Sequence, residues 1–329
     1  MNSISTASAS VALAIAVATS GAWGPSAWAQ AYPNRPIRLL MPFPAGGTPD
    51  ALARTLAGQV ESQLGQNIVV DNRTGANGVI AYELTAKAAP DGYTLVQATP
   101  SFALNTIIFR KLQYSLKDFA PVTNIAQGFG YLLLVHPSVP ATSIKELIAL
   151  AKSKDKPLAY GTPGVGNTLH LATELFNARS GMNMLHVPYK GVAPALTALL
   201  GGEIQLMIVQ PPAGVAQVKA GKLRALGFTG AKRWDGMPDV PTISESGLPG
   251  FVVHFTWNAW YAPAKTPRDI VLRLQSEVHK ALQVPKVREF FVNGGWEPLG
   301  SSPEALRTYV DAELKRYAEA VRIAKIQPE

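Results

Sequence analysis

The strongest constraint this chain places on its own fold is a strand-to-helix corner that occurs twice. In Met41-Pro42-Phe43-Pro44-Ala45-Gly46-Gly47-Thr48-Pro49-Asp50, a hydrophobic strand end runs into a glycine turn and then a helix start. Pro49 and Asp50 sit where a first helical turn tolerates proline and favours a carboxylate. Such a corner presents unpaired backbone N–H groups at the positive end of a helix, so it holds an anion without any catalytic residue. Gly47, Thr48 and Asp50 are read as holding one end of a small carboxylate. Gly161-Thr162-Pro163-Gly164-Val165-Gly166-Asn167-Thr168 repeats the same logic after Leu158-Ala159-Tyr160. Two such corners on two lobes make facing jaws.

The segments between the corners alternate in the manner of an α/β protein. Residues 35–41 read as a buried parallel strand, and Leu52, Leu56, Val60 and Leu64 repeat along one face of the helix that follows. A strand at 68–70, a helix through 89 and a strand at 93–96 come next. Residues 102–129 read as irregular and crossing. A second unit starts at 131–135, with a helix capped by Ser143 and Glu146, and continues through strands at 158–160, 184–187, 204–208 and 223–227. Proline and glycine mark 229–250 as loop, and Trp257-Asn258-Ala259-Trp260-Tyr261-Ala262-Pro263 reads as a strand crossing back to the first lobe. Helices near 267–282, 285–293 and 303–323 close the chain.

At 329 residues, 47 % apolar and 16 % charged, the chain has material for two medium lobes with proper cores. Residues 11–18 are apolar but too short to cross a bilayer, and Ala27-Trp28-Ala29 follows as a cleavage pattern. Residues 1–29 therefore read as an export signal, although residues 2–10 lack the usual positive charge. The formal charge of +8 falls wholly on the rest, where Lys and Arg are scattered among Asp and Glu without a basic stripe. Nucleic acid is not an expected partner. The absence of cysteine excludes disulfides, thiolate metal sites and a cysteine nucleophile.

No catalytic constellation shows. The histidines at 136, 170, 186, 254 and 279 have no ligand-like spacing, and neither glycine corner matches a nucleotide-binding pattern. No metal and no cofactor is expected. His170 reads equally as a packed residue and as a ligand contact, and Tyr189 equally as a cleft-lining and a structural tyrosine. Lys190 reads as a solvated lysine. The alternative to a binding protein is a secreted α/β hydrolase using His170 or His186 as base.

Several stretches together carry a family resemblance: Tyr32-Pro33-Asn34-Arg35-Pro36-Ile37, the Pro42 to Asp50 corner, and Asp71-Asn72-Arg73 with Gly75 and Asn77-Gly78. Pro90-Asp91-Gly92-Tyr93-Thr94-Leu95 and His186-Val187-Pro188-Tyr189-Lys190-Gly191 complete the set. In this order the chain resembles the Bug/TctC family, the extracytoplasmic solute receptors of tripartite tricarboxylate transporters. The resemblance implies a two-lobed, type II-like periplasmic binding fold of mostly parallel sheets flanked by helices, with a ligand cleft between the lobes. By position, Phe43 and Gly46 to Asp50 correspond to one carboxylate-pinching loop. Thr162, Gly166, Asn167, Thr168 and His170 belong to the other, with Thr99 and Gln210 facing the same cleft.

The expected division is 30–129 plus 253–329 for one lobe and 130–252 for the other. The expected partners are a small organic carboxylate and membrane permease subunits, with a signalling partner as the alternative and a monomer as the state. Two departures bear on specificity. The second corner is usually serine-rich, Ser-Gly-x-Gly-Ser, whereas Pro163 here removes one N–H donor. The strand after residue 204 usually ends in Asp or Asn, whereas here it leads into Gln210-Pro211-Pro212.

Overall fold

A computed structural model describes residues 32–153 and 156–327, so the export signal read at 1–29 lies outside the described residues. Two sheets organise the chain. The first holds β1 (Ile37–Met41), β2 (Ile68–Asn72), β3 (Thr94–Ala98), β4 (Phe119–Gly128), β10 (Trp257–Pro263) and β11 (Trp296–Pro298), in the order β11-β4-β10-β3-β1-β2. β1 pairs in parallel with β2 and β3, while β10 is antiparallel to both β3 and β4. The second sheet is β7-β6-β8-β5-β9, made from β5 (Leu132–Val135), β6 (Ala159–Thr162), β7 (Leu185–Pro188), β8 (Leu206–Val209) and β9 (Arg224–Phe228). Here β6 is parallel to β7 and β8, and β5 runs against β8 and β9. Each sheet is thus a mostly co-directional layer made mixed by reversed strands, β10 inside and β11 at the edge of the first and β5 inside the second.

Helices follow the parallel strands as the alternation predicts. In the first sheet β1 leads to α1 (Thr48–Leu64), β2 to α2 (Val79–Ala86) and β3 to α3 (Pro100–Ile108). The second unit contributes α4 (Ile144–Ser153), α5 (Thr168–Ser180) after β6, α6 (Val192–Leu200) after β7 and α7 (Pro211–Lys219) after β8. The one-turn α8 (Ile243–Ser246) interrupts the loop read at 229–250, held by a capping box between Thr242 and Glu245. α9 (Arg268–Gln283), α10 (Pro285–Asn293) and α11 (Pro303–Ile323) close the chain close to their expected bounds.

The stretch expected to be irregular, 102–129, is irregular only in its middle, at 109–118. On either side it contains most of α3 and the longest strand, β4. α3 escapes a periodicity reading because it is buried on several faces at once: Phe102, Ala103, Leu104, Asn105 and Ile108 are all inaccessible. β4 carries Pro121 and Asn124, residues that normally demote a strand. The β4–β10 ladder accommodates them with two register shifts, between Asn258 and Ala259 and between Trp260 and Tyr261.

The core has three parts. Leu39, Leu52, Leu56, Trp260, Leu274 and Phe291 pack on one side of the first sheet, and Leu132, Leu199, Met207 and Val209 on one side of the second. A third cluster runs between the sheets, joining Val96 and Phe102 to Leu133, Leu169, Phe176 and Tyr317. α11 contributes Leu306, Val310, Tyr317 and Val321 to it. Full burial of aromatic side chains of this size contributes on the order of 2–3 kcal/mol each. Such burial fixes where the ends of both sheets lie.

Candidate functional site

The first corner is held from inside by a carboxylate. Asp50 is 3 % exposed, and its Oδ2 accepts hydrogen bonds from the Gly46 N–H at 3.0 Å and from Arg54 Nε at 2.9 Å. Its Oδ1 accepts from Asn72 Nδ2 at 2.9 Å, and the same nitrogen donates to the Phe43 carbonyl at 2.8 Å. Arg54 Nη2 closes the ring on Asn72 Oδ1. Burial alone raises the Asp50 pKa, but the bonds from Arg54, Asn72 and Gly46 outweigh it and hold the carboxyl below its usual range. From the far side, Gln97 Nε2 donates to the Pro49 carbonyl at 2.8 Å, and its Oε1 accepts from Trp260. The first turn of α1 is thereby pinned to the middle of the sheet.

This wiring leaves the donors of the turn unspent. Gly47 caps α1 in an extended conformation with no side-chain bond. Among the described residues, the N–H groups of Gly47, Thr48 and Asp50 meet no protein acceptor. They are the donors a helix start offers an anion.

The second corner is braced by side chains from its own sheet. Thr162 Oγ1 lies 3.2 Å from the Gly164 carbonyl and 2.6 Å from His186 Nε2, and it accepts the Gly164 N–H at 3.4 Å. The Gly166 N–H donates to His170 Nδ1 at 3.3 Å, and Asn167 Oδ1 caps Leu169 N–H at 2.8 Å. Accepting the Gly166 N–H at Nδ1 leaves the proton of neutral His170 on Nε2. The two imidazoles stack, with His170 and His186 centroids 4.1 Å apart at 16°, and Tyr160 stacks on the outer face of His186 at 5.0 Å. Tyr160 donates its hydroxyl to Glu174. Burial, and then the neighbouring His186, lower the His170 pKa to about 3, and burial lowers His186 to about 4. Both rings are neutral at neutral pH, and such weak bases are poorly matched to general-base catalysis. Among the described residues, the N–H groups of Asn167 and Thr168 meet no protein acceptor.

A short turn at Ala76–Gly78 joins the two corners. Gly78, at φ +90°, packs so closely that a Cβ there would lie 2.8 Å from Pro42 Cβ. The adjacent Asn77 reaches across, its Nδ2 donating to the Gly166 carbonyl at 2.8 Å and to Asn105 Oδ1 on α3 at 2.8 Å. Asn105 Nδ2 donates back to the Asn77 carbonyl at 3.2 Å. A second contact between the sheets places Trp234 and Pro211 against Gly295.

All the residues singled out from sequence lie at carboxyl ends of parallel strands, where ligands of open α/β sheets bind. Phe43, Gly46, Gly47, Thr48 and Asp50 follow β1, and Thr162, Gly166, Asn167, Thr168 and His170 end or follow β6. Thr99 caps α3 after β3 without a side-chain cap bond. Tyr189 follows β7, its N–H bonded to the Thr162 carbonyl and its ring beside Gly161. Gln210 caps α7 after β8. Asn72, Asn77, Gln97 and Asn105 were not among the sequence candidates; Asn72 and Asn77 stand inside a quoted motif but read there only as turn.

No lysine or arginine is buried among the described residues. No described cluster of His, Cys, Asp or Glu fits a metal ion. No described helix is long and apolar enough to cross a membrane. A separate cavity of about 240 Å³ lies between α5 and α11, lined in part by Leu175, Arg179, Phe251, Phe255 and Arg316.

Comparison with known proteins bears on this geometry. Residues 52–326 match the sequence profile described as the tripartite tricarboxylate transporter family receptor, TctC. Rpa4515 of R. palustris, solved with adipate, superimposes with a TM-score of 0.86 at 38 % identity, covering 91 % of this chain and 100 % of that one. The periplasmic binding protein BugD gives 0.84 at 33 % identity over 91 % and 100 %. MatC of Rhodopseudomonas palustris, solved with bound malate, gives 0.81 at 32 % over 88 % and 100 %.

Proposed function

Because this chain belongs to the tripartite tricarboxylate transporter family of receptors, TctC, and is a solute-binding protein rather than an enzyme, we propose that its paired corners pinch one carboxylate of a small organic acid. The observation that carries this reading is the set of unspent N–H groups at Gly47, Thr48, Asp50, Asn167 and Thr168. Each corner ends a parallel strand and starts a helix, so its donors face a common anion with favourable dipoles. Charge-assisted bonds of this kind orient the ligand as well as holding it. The side chains of Phe43, Thr48, Thr99, Thr168, His170, Tyr189 and Gln210 line the remainder of the cleft and read the rest of the molecule. Gly46 and Gly166 supply the turns, Thr162 braces the second of them, and Asp50 positions the first.

In this proposal the lobes are 30–129 plus 253–329 and 130–252, and they close on the ligand. Residues 1–29 direct export to the periplasm. The monomeric receptor then hands its cargo to membrane permease subunits. Relatives solved with adipate and malate support an aliphatic dicarboxylate as the ligand class, with monocarboxylates and aromatic acids as the neighbouring classes to screen.

A thermal-shift screen of organic acids tests the proposal. A carboxylate present at about 100 times its Kd adds roughly 2.7 kcal/mol to the folded state, a rise of several degrees. Adipate, malate or a related acid is expected to give that rise. Stabilisation by sugars or cationic amines, with none by any carboxylate, contradicts it.

A further inference from the structure

We propose that Asn77 is a positioning residue that clasps the second corner to the first sheet and fixes the plane of the Gly166–Asn167 peptide, one of the ligand-facing units. The proposal rests on the paired-corner reading above.

The amide of Asn77 has two N–H bonds and two acceptors, Asn105 Oδ1 and the Gly166 carbonyl, each at 2.8 Å. Asn105 is fully buried and returns a bond to the Asn77 backbone carbonyl. That reciprocal pair sets the orientation of the Asn77 side chain before Gly166 is considered. The Gly166 carbonyl is an acceptor only, so the group facing it must be the NH2 end of the amide. A trans peptide is planar, with C=O and N–H opposed. Holding the Gly166 oxygen therefore sets the direction of the Asn167 N–H, a donor the protein itself does not use.

Local backbone chemistry suits this duty. Asn77 has φ +54° and Gly166 has φ +70°, the left-handed region that asparagine tolerates and glycine adopts freely. A Cβ on Gly166 would lie 3.3 Å from Ile108 Cγ2, so a larger residue would press against α3 where the clasp closes. When the lobes separate, Gly166 and one Asn77 N–H can return to water. The bond is then a reversible bias with a net worth of about 1 kcal/mol, a roughly fivefold shift between separated and joined forms.

The test measures the distance between lobes in ligand-free protein. The chain has no cysteine, so Ser62→Cys on α1 and Thr197→Cys on α6, both at exposed positions, place two spin labels cleanly. Asn77→Asp keeps the size but puts an acceptor against two acceptors, and Asn77→Gly keeps the positive φ without the amide. Pulsed dipolar spectroscopy is expected to show the joined population falling about fivefold or more in both variants, with the larger fall for Asn77→Asp. Distance distributions that superimpose on the parent in both variants overturn the proposal. A lowered melting temperature for Asn77→Gly with unchanged distances also overturns it, because the amide would then serve only its own turn. No ligand enters the experiment, so its outcome is separate from that of the organic-acid screen.

Discussion

Replacing Asp50 with alanine is expected to lower stability by about 2–3 kcal/mol and to weaken carboxylate binding by about 100-fold. Three donors converge on this side chain: Gly46 N–H, Arg54 Nε and Asn72 Nδ2. Removing it leaves Asn72 Nδ2 with the Phe43 carbonyl alone and releases Gly46 from the turn. Arg54 is about half exposed and recovers water, so the ion pair itself contributes little. The larger loss is the shape of the corner, because a turn free to move must be ordered again when the ligand arrives. Asp50→Asn tests the same point more gently. It retains an oxygen for Asn72 but offers an amide nitrogen toward Gly46 and Arg54, so binding is expected to fall while most of the stability is retained. Urea unfolding and titration calorimetry on the same preparations separate the two effects.

Lowering the pH from about 6.5 to about 4.5 is expected to destabilise the protein progressively, through His170 and His186. Both have folded pKa values depressed from 6.5, to about 3 and about 4, chiefly by burial. Below 6.5 the unfolded chain takes up these protons while the folded chain does not. The stability contributed by the neutral rings is therefore complete above 6.5 and is lost as pH falls towards the folded values. Each ring removes at most about 1.4 kcal/mol per pH unit in that window. Asp50 and Asp71 also have lowered pKa values and act in the same direction, but below the window. His170→Asn places an oxygen where Nδ1 receives the Gly166 N–H and does not titrate. Its unfolding midpoint should depend less steeply on pH than that of the parent, and an identical slope would remove His170 from the account.

The parts of the fold legible in the sequence are those with a local signature. Ile37 to Met41 is a near-continuous apolar run ending at glycines, and Pro285, Pro303 and Gly294 punctuate the last helices where the structure does. β10 is readable from its aromatic run although its pairing partners, β3 and β4, are far away in sequence. α3 and β4 were hidden because burial on several faces erases periodicity, and because β4 carries Pro121 within a strand that bulges against β10. The corners themselves were visible, but their wiring was not. Asp50 reads as a ligand contact from sequence, whereas its Oδ2 is taken by Gly46 and Arg54 and its Oδ1 by Asn72, 22 residues later. Asn77 meets Gly166 across 89 residues, a partnership without local signal.

The central claim is that one carboxylate sits between donors of both corners. Backbone amide resonances of isotopically labelled protein, recorded while titrating the acid that stabilises it most, test this directly. The largest shifts are expected at Gly47, Thr48, Asn167 and Thr168, moving together with a single affinity. Shifts gathered instead around Arg179 and Arg316, beside the separate cavity at α11, would contradict it.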